Sequence, residues 1–430
     1  SVSVHTEIIC HYRQNYKQIK KCTTNGFVLN VDIYLRYNRY KRRNIMDIIR
    51  IMKINAWLMG AYAMVRAAAI VKNLSGAGPA AVIAVSLAAL ALVRFLTGNM
   101  WKLKGMLSLT FMFSLIVSDI AVVTVSLVSR SISGNGLFLS GSLYTVWICC
   151  GIGLAAWGLL MLYGYINEKH VKATEYTFCS EKIKEDLRIC VMSDIHFGTI
   201  QKKDTLAKHI EIINSYKPDI ILLAGDVTEE RTSGEDMSEL FRHLSKLSSR
   251  YGTYFVHGNH DKQQKLTAKE RTYTDEEYDR AMKEAGIHCL DDDCVKLREN
   301  VTVIGRNDYT EKTRAGLETL LKETDPSSYR ILFEHQPEEY KDCAAAGIEI
   351  HITGHYHGAQ NWPNNILYKL ADIKYLGIYR IGEMKLLVNA GFTGSAYPIR
   401  SHSKCEYLVI NLKNSYICNW LFGNCHYKER

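Results

Sequence analysis

Apolar and polar positions divide this chain into two regimes. Between residues 54 and 166, apolar side chains run in four long stretches, 56–71, 80–96, 106–128 and 137–165. About 20 apolar residues cross a hydrocarbon layer. The third and fourth stretches reach that length; the first two lie near its lower limit, and Arg66 interrupts the first. An α-helical membrane region of about four spans is therefore predicted. Beyond residue 170 the rhythm shortens. Runs rich in Ile, Leu and Val occur at 187–193, 219–224, 253–256, 301–305, 329–333, 348–353 and 407–412. Most end at or near a glycine or a polar residue and read as buried strands. Helical patterns fall between them, near 204–215, 236–247, 275–286, 314–322 and 337–345. Strands alternating with helices predict an α/β domain whose sheets are covered by helices.

The chemistry sits where those strands end. Asp194-Ile195-His196 follows the first, Gly225-Asp226 the second and Gly258-Asn259-His260-Asp261 the third. His335 follows a later strand, and Gly354-His355-Tyr356-His357-Gly358 another. In open α/β sheets, ligands bind beyond the carboxyl ends of strands. Carboxylate, amide and imidazole groups suit Mn, Fe or Zn, and with no Cys in the set a structural thiolate zinc site is disfavoured. Together they can hold two divalent cations, an arrangement suited to in-line hydrolysis of a phosphate ester. The i, i+2 spacing turns Asp194 with His196, and His355 with His357, to one side of an extended segment. Taken singly, each motif is weak. Asp-x-His is usually a cap or surface pair, and Gly-Asp or Gly-Asn an ordinary turn. Only the ordered set is specific. His257 and His351 read as packed or supporting histidines. Arg306, Asn307 and Arg400 are candidates for the substrate phosphate, with a plain loop or solvated role as the alternative.

Residues 186–413 resemble the calcineurin-like metallophosphoesterase superfamily, whose blocks run D-x-H, G-D, G-N-H-[DE], H and G-H-x-H. The Gly354–Gln360 block, Tyr379-Arg380-Ile381-Gly382 and the segment from Gly394 to Pro398-Ile399-Arg400 are similar to its membrane-associated bacterial branch. The resemblance implies a metallophosphoesterase-type β-sandwich flanked by helices. It implies that Asp194, His196 and His357 bind one metal, that Asn259, His335 and His355 bind the other, and that Asp226 bridges both. It makes a metal-bridging hydroxide the nucleophile and His260 a general acid or electrostatic stabiliser, oriented by Asp261. The implied reaction is hydrolysis of a phosphomonoester or phosphodiester; a lipid-linked phosphate is favoured because four spans would hold the site near the bilayer. A catalytically silent metal-binding scaffold, or a regulatory domain of a membrane protein, is the alternative.

Charge adds little to this picture. The net +9 comes largely from the first 53 residues and the flanks of the apolar stretches. It reads as attraction to an anionic bilayer surface, and no basic helix interleaved with aromatics suggests nucleic acid. Lys41, Arg42, Arg43, Arg50 and Lys53 precede the first stretch; Arg94, Lys102 and Lys104 separate the second and third. With basic flanks inside, four spans return the catalytic domain to the cytoplasm. The 12 cysteines are scattered and form no C-x-x-C pair, which suggests reduced thiols. The expected organisation is a basic, disordered segment at 1–53, a transmembrane region at 54–168, a phosphoesterase domain at 169–413 and a tail at 414–430. Residues 1–45 carry no signal-peptide pattern, and Met46 reads as a natural start.

Overall fold

The computed structural model describes residues 143–415, Lys202 excepted, and scattered positions between 110 and 128. Helix α1 (Leu143–Glu168) leads into β1 (Val171–Ser180) and β2 (Leu187–Met192). Then come α2 (Lys203–Ser215), β3 (Ile220–Ala224), α3 (Gly234–Leu244), β4 (Thr253–Val256), α4 (Asp275–Glu284) and β5 (Ile287–Cys289). The next run is β6 (Asp293–Arg298), β7 (Val301–Gly305), α5 (Leu317–Leu321), β8 (Tyr329–Phe333), α6 (Tyr340–Ala345) and β9 (Ile350–Thr353). It closes with α7 (Asn364–Leu370), β10 (Gly377–Ile381), β11 (Met384–Val388) and β12 (Cys405–Asn414).

The strands form two mixed sheets, ordered β1-β12-β2-β3-β4-β5 and β10-β11-β9-β8-β7-β6. The centre of each is parallel: β2, β3 and β4 in one, β7, β8 and β9 in the other. Alternation along the strands explains the layers. Ile189, Val191, Ile220 and Leu222 point inward to meet Ile331, Phe333, Ile350 and Ile352 of the second sheet. Their neighbours Cys190, Met192, Ile221 and Leu223 face the helices instead. A strand buried on both faces is apolar throughout, which is why these runs were legible. Helix α3 packs with Met237, Leu240, Phe241 and Leu244, one stripe at helical spacing. The Ser233 side chain caps it by accepting from the Asp236 N–H, and Thr274 with Glu277 forms a capping box on α4. Helices α5 and α6 cover the outer face of the second sheet through Leu320 and Cys343. The result is the expected sandwich flanked by helices, with parallel strands from both sheets ending on one side.

The four-span region is not seen. The stretches 56–71 and 80–96 lie outside the described residues, and 106–128 is described only at scattered positions. Among the described residues no helix is long and apolar enough to cross a membrane. The segment 1–53, the start at Met46 and the tail from residue 416 also lie outside them. The last strand runs through Asn414, one residue past the expected boundary, because Asn414 pairs with Ser180. The expectation of reduced thiols holds for Cys190, Cys289, Cys294, Cys343 and Cys405, whereas Cys179 is disulfide-bonded.

Candidate metal centre

Each strand end delivers one part of the centre. The turn after β2 carries Asp194 and His196, the turn after β3 carries Asp226, and the turn after β4 carries Asn259 and His260. From the second sheet, β8 leads to His335, and β9 leads to His355 and His357. Asp194, His196 and His357 bring their ligating atoms within 4.8 Å of one another, and so do Asp226, His335 and His355. Asp226 lies between the two groups. Its Oδ2 is 2.9 Å from His335 Nε2 and 3.9 Å from His196 Nε2. Asp194, His196, Asp226 and His335 are all essentially without solvent exposure.

Hydrogen bonds fix which atom each ring presents. His335 Nδ1 lies 2.9 Å from the Ala224 carbonyl and His357 Nδ1 2.9 Å from the Thr393 carbonyl. Both Nδ1 atoms must therefore donate, which turns both Nε2 atoms toward the pocket. Glu229 Oε2 lies 3.5 Å from His196 Nδ1 and turns its Nε2 the same way. Asp194 Oδ1, His196 Nε2 and Asn259 Oδ1 are buried yet find no hydrogen-bond partner. Buried polar atoms are almost always satisfied. Converging lone pairs with no donor are what cations would satisfy, so the donor set fits two divalent ions.

The backbone is bent to reach this arrangement. Asp194, His196, Asp226, His355 and His357 all have φ between 41° and 77°, in the left-handed region. For residues with a Cβ such conformations cost of order 1 kcal/mol or more each and cluster at functional sites. The glycines supply clearance. A Cβ on Gly258 would collide with the Asp226 carboxylate, and one on Gly354 would lie 2.6 Å from Ser193 Oγ.

Residues 187–359 match the family model for calcineurin-like phosphoesterases. Over this span the chain is similar to the calcineurin-like phosphoesterase family. A metallophosphoesterase of Helicobacter pylori is 26% identical over 272 residues, spanning 61% of this chain and 70% of that one. A transmembrane protein with metallophosphoesterase domain from Danio rerio is 26% identical over 309 residues, 67% of either chain. Among solved structures, a dimetal phosphatase from Danio rerio shares 10% identity at a TM-score of 0.31, covering 48% of this chain and 87% of that one. On that match the chain is a metal-dependent phosphoric ester hydrolase.

Charge in the calcineurin-like pocket is finely shared. Burial opposes the charged form of His335, but the Asp226 carboxylate outweighs it and lifts the imidazole to about 10. Burial and the neighbouring His335 push His355 down to about 3. Asp226 is held well below the carboxylate range: burial acts upward, and His335, His260 and His196 overcome it.

His260 stands at the rim, its ring 5.4 Å from that of His196 and its backbone N–H donating to Asp226 Oδ1 at 2.9 Å. Its orientation is not due to Asp261. The Asp261 carboxylate is fully buried and accepts the N–H groups of Asp226 and Gly258 at 2.8 Å, together with Thr228 and Tyr278. Asp261 therefore braces the loops that carry Asp226 and Asn259. Glu230, which sequence reading passed over, holds His260: its Oε2 lies 2.6 Å from Nδ1. Lys265 Nζ lies 2.9 Å from the other ring nitrogen. The run Glu229-Glu230, beginning three residues after Asp226 of the Gly-Asp motif, was the available signal.

The candidate phosphate contacts are corrected. Arg306 is buried and paired with Glu339 at 2.9 Å and Glu334 at 3.9 Å, so its charge is spent inside the second layer. Asn307 serves its own turn, accepting the Asp308 N–H and donating its backbone N–H to Asp292. Arg400 is neither solvated nor turned to a substrate. It is fully buried and donates to Glu168, Ala390, Thr393, Ser403 and Lys404. His257 and His351 are packed, as expected, against Asp291 and Glu334 at 2.5 and 2.8 Å.

Proposed function

We propose that the chain is a membrane-attached phosphoesterase that hydrolyses a phosphomonoester or phosphodiester, with lipid-linked phosphates favoured. The position of Asp226 between the two triads carries this reading, since one carboxylate within reach of both groups suits paired cations. Asp194, His196 and His357 would hold one ion, Asn259, His335 and His355 the other, and Asp226 both. Oxygen and imidazole donors favour Mn, Fe or Zn. When bound, such ions supply charge neutralisation at phosphoryl oxygens and a more acidic water.

The chain's own groups do the rest. His260, held by Glu230, would donate its proton to the departing oxygen or stabilise charge building there. Glu230 favours the protonated ring, and the His260 imidazole stays raised although burial works against it. Lys265, 2.9 Å from the other ring nitrogen, works against that protonation and adds a cation at the same rim.

Helix α1 supports attachment to a bilayer. Ile152, Leu154, Leu159, Leu162, Tyr163 and Ile166 are each about half exposed, and no Asp, Glu, Lys or Arg precedes Glu168 in the helix. A helix apolar on all sides finds its environment in lipid or a protein core. A partner helix already meets it: a Cβ on Gly153 would come within 2.8 Å of Leu115 Cδ2, and Trp157 Nε1 donates to Thr110 Oγ1 at 3.1 Å. Small residues at such crossings are typical of membrane helix pairs.

The test is direct. The purified full chain should hydrolyse an aryl phosphodiester or phosphomonoester with added Mn²⁺ and lose that activity to a chelator. Unchanged turnover by a rigorously metal-free preparation would refute the reading.

A further inference from the structure

Glu168 is an acidic residue at an awkward place. It is the last residue of α1, where the helix dipole disfavours negative charge, and it is only 1% exposed. A buried carboxylate at the negative end of a helix needs specific partners. It has them, and they lead to the metal centre. Oε2 accepts from Arg400 Nε at 3.2 Å, and Oε1 from the Gly394 N–H at 2.6 Å.

Arg400 continues the chain of contacts. Its Nη2 donates to the Thr393 carbonyl at 2.6 Å, and its Nη1 reaches the His357 carbonyl at 3.4 Å. That same Thr393 carbonyl is the acceptor for His357 Nδ1. It thereby selects the tautomer whose Nε2 faces Asp194, 3.3 Å from Oδ1. The Thr393 N–H in turn donates to the Asp194 carbonyl at 3.0 Å. Asn167 reinforces the joint by donating to the carbonyls of Arg400 and Ser403 at 2.8 and 2.7 Å. The Arg400 N–H bonds the Gly164 carbonyl at 3.0 Å, so this segment is stitched along the last turn of α1. Every link converges on the loop beneath His357, and none reaches Asn259, His335 or His355.

We propose that Glu168 is a positioning residue for one half of the metal centre, acting through Arg400 and the Thr393 carbonyl on His357, and so ties the end of helix α1 to cation binding. The proposal rests on the two-cation reading above. Its consequence is selective. Groups that orient a metal-binding histidine typically change affinity about 10–100-fold when removed. Loss of Glu168 should therefore weaken the ion held by Asp194, His196 and His357 and spare the other.

The experiment titrates Mn²⁺ into the metal-stripped full chain and follows free Mn²⁺ by its magnetic resonance signal. Wild type should take up two equivalents. Glu168→Gln, which keeps the side chain's volume and an acceptor for the Gly394 N–H, should keep one equivalent at wild-type affinity and weaken the other about 10–100-fold. Fewer than two equivalents in wild type would remove the two-cation reading itself. Two equivalents in wild type with both unchanged, or both weakened alike, in Glu168→Gln would overturn the role of Glu168 alone. Should Glu168→Gln fail to fold, Glu168→Asp, which keeps the charge but withdraws it from Arg400, is measured in the same way with the same two outcomes.

Discussion

At the residue scale, the centre is an exchange of backbone comfort for convergence. Five side chains aimed into the pocket come from residues in the left-handed region, a conformation that the surrounding turns must hold against a cost of order 1 kcal/mol or more apiece. Asp261 is one of the holders: five groups donate to its carboxylate. His260 and Glu230 form the reactive rim. His260→Ala is expected to lower turnover about 10²–10⁴-fold with two metal equivalents retained; loss of metal instead would show that His260 is not a proton donor. Glu230→Gln removes a group that raises the His260 pKa. If protonated His260 is the working form, activity falls as pH rises through that pKa, so the basic limb of the kcat/KM profile should move to lower pH. A limb that stays in place would detach Glu230 from His260. The liganding types were readable because Asp, His and Asn at strand ends carry their own chemistry. The arginines were not. Arg400 finds Glu168 232 positions away, and no local pattern distinguishes a guanidinium facing a phosphate from one locked on a buried carboxylate.

At the element scale, what could be read depended on burial of both strand faces. Strands β2, β3, β7, β8 and β9 are buried along nearly all their length and mostly apolar, because the facing sheet covers one side and helices the other. Edge strand β1, Val171–Ser180, has one well-buried position, Phe178. It is held by parallel pairing to β12, a contact that the sequence does not advertise. Strand β5 is only 3 residues long, and the β10–β11 hairpin carries Arg380 and Glu383 on its exposed side. These elements follow from tertiary pairing more than from periodicity. The inter-sheet core should be correspondingly stiff. Leu222→Ala, at a fully buried position facing the second sheet, should cost about 2–5 kcal/mol, measured by denaturant unfolding. A loss below about 1 kcal/mol would mean that the sheets pack less tightly than their side chains indicate.

At the scale of the whole molecule, the junction between α1 and the catalytic domain is the feature with most consequence. Only two residues separate the helix from β1, and the helix end is buried in the loop that supports His357. An apolar helix joined so closely would hold the active site near a lipid surface, consistent with a lipid-linked phosphate as substrate. The full chain should stay with membranes through alkaline carbonate and be released by detergent; release by carbonate alone would reduce the helix to a peripheral contact or a protein–protein surface. Beneath these expectations lies the paired-cation centre. Its most direct test is the crystal structure of the full chain grown with Mn²⁺, using anomalous scattering to locate the ions. Two peaks about 3.5–4 Å apart, sharing Asp226 and divided between His196 with His357 and His335 with His355, are predicted. A single ion, or two ions that do not share Asp226, would contradict it.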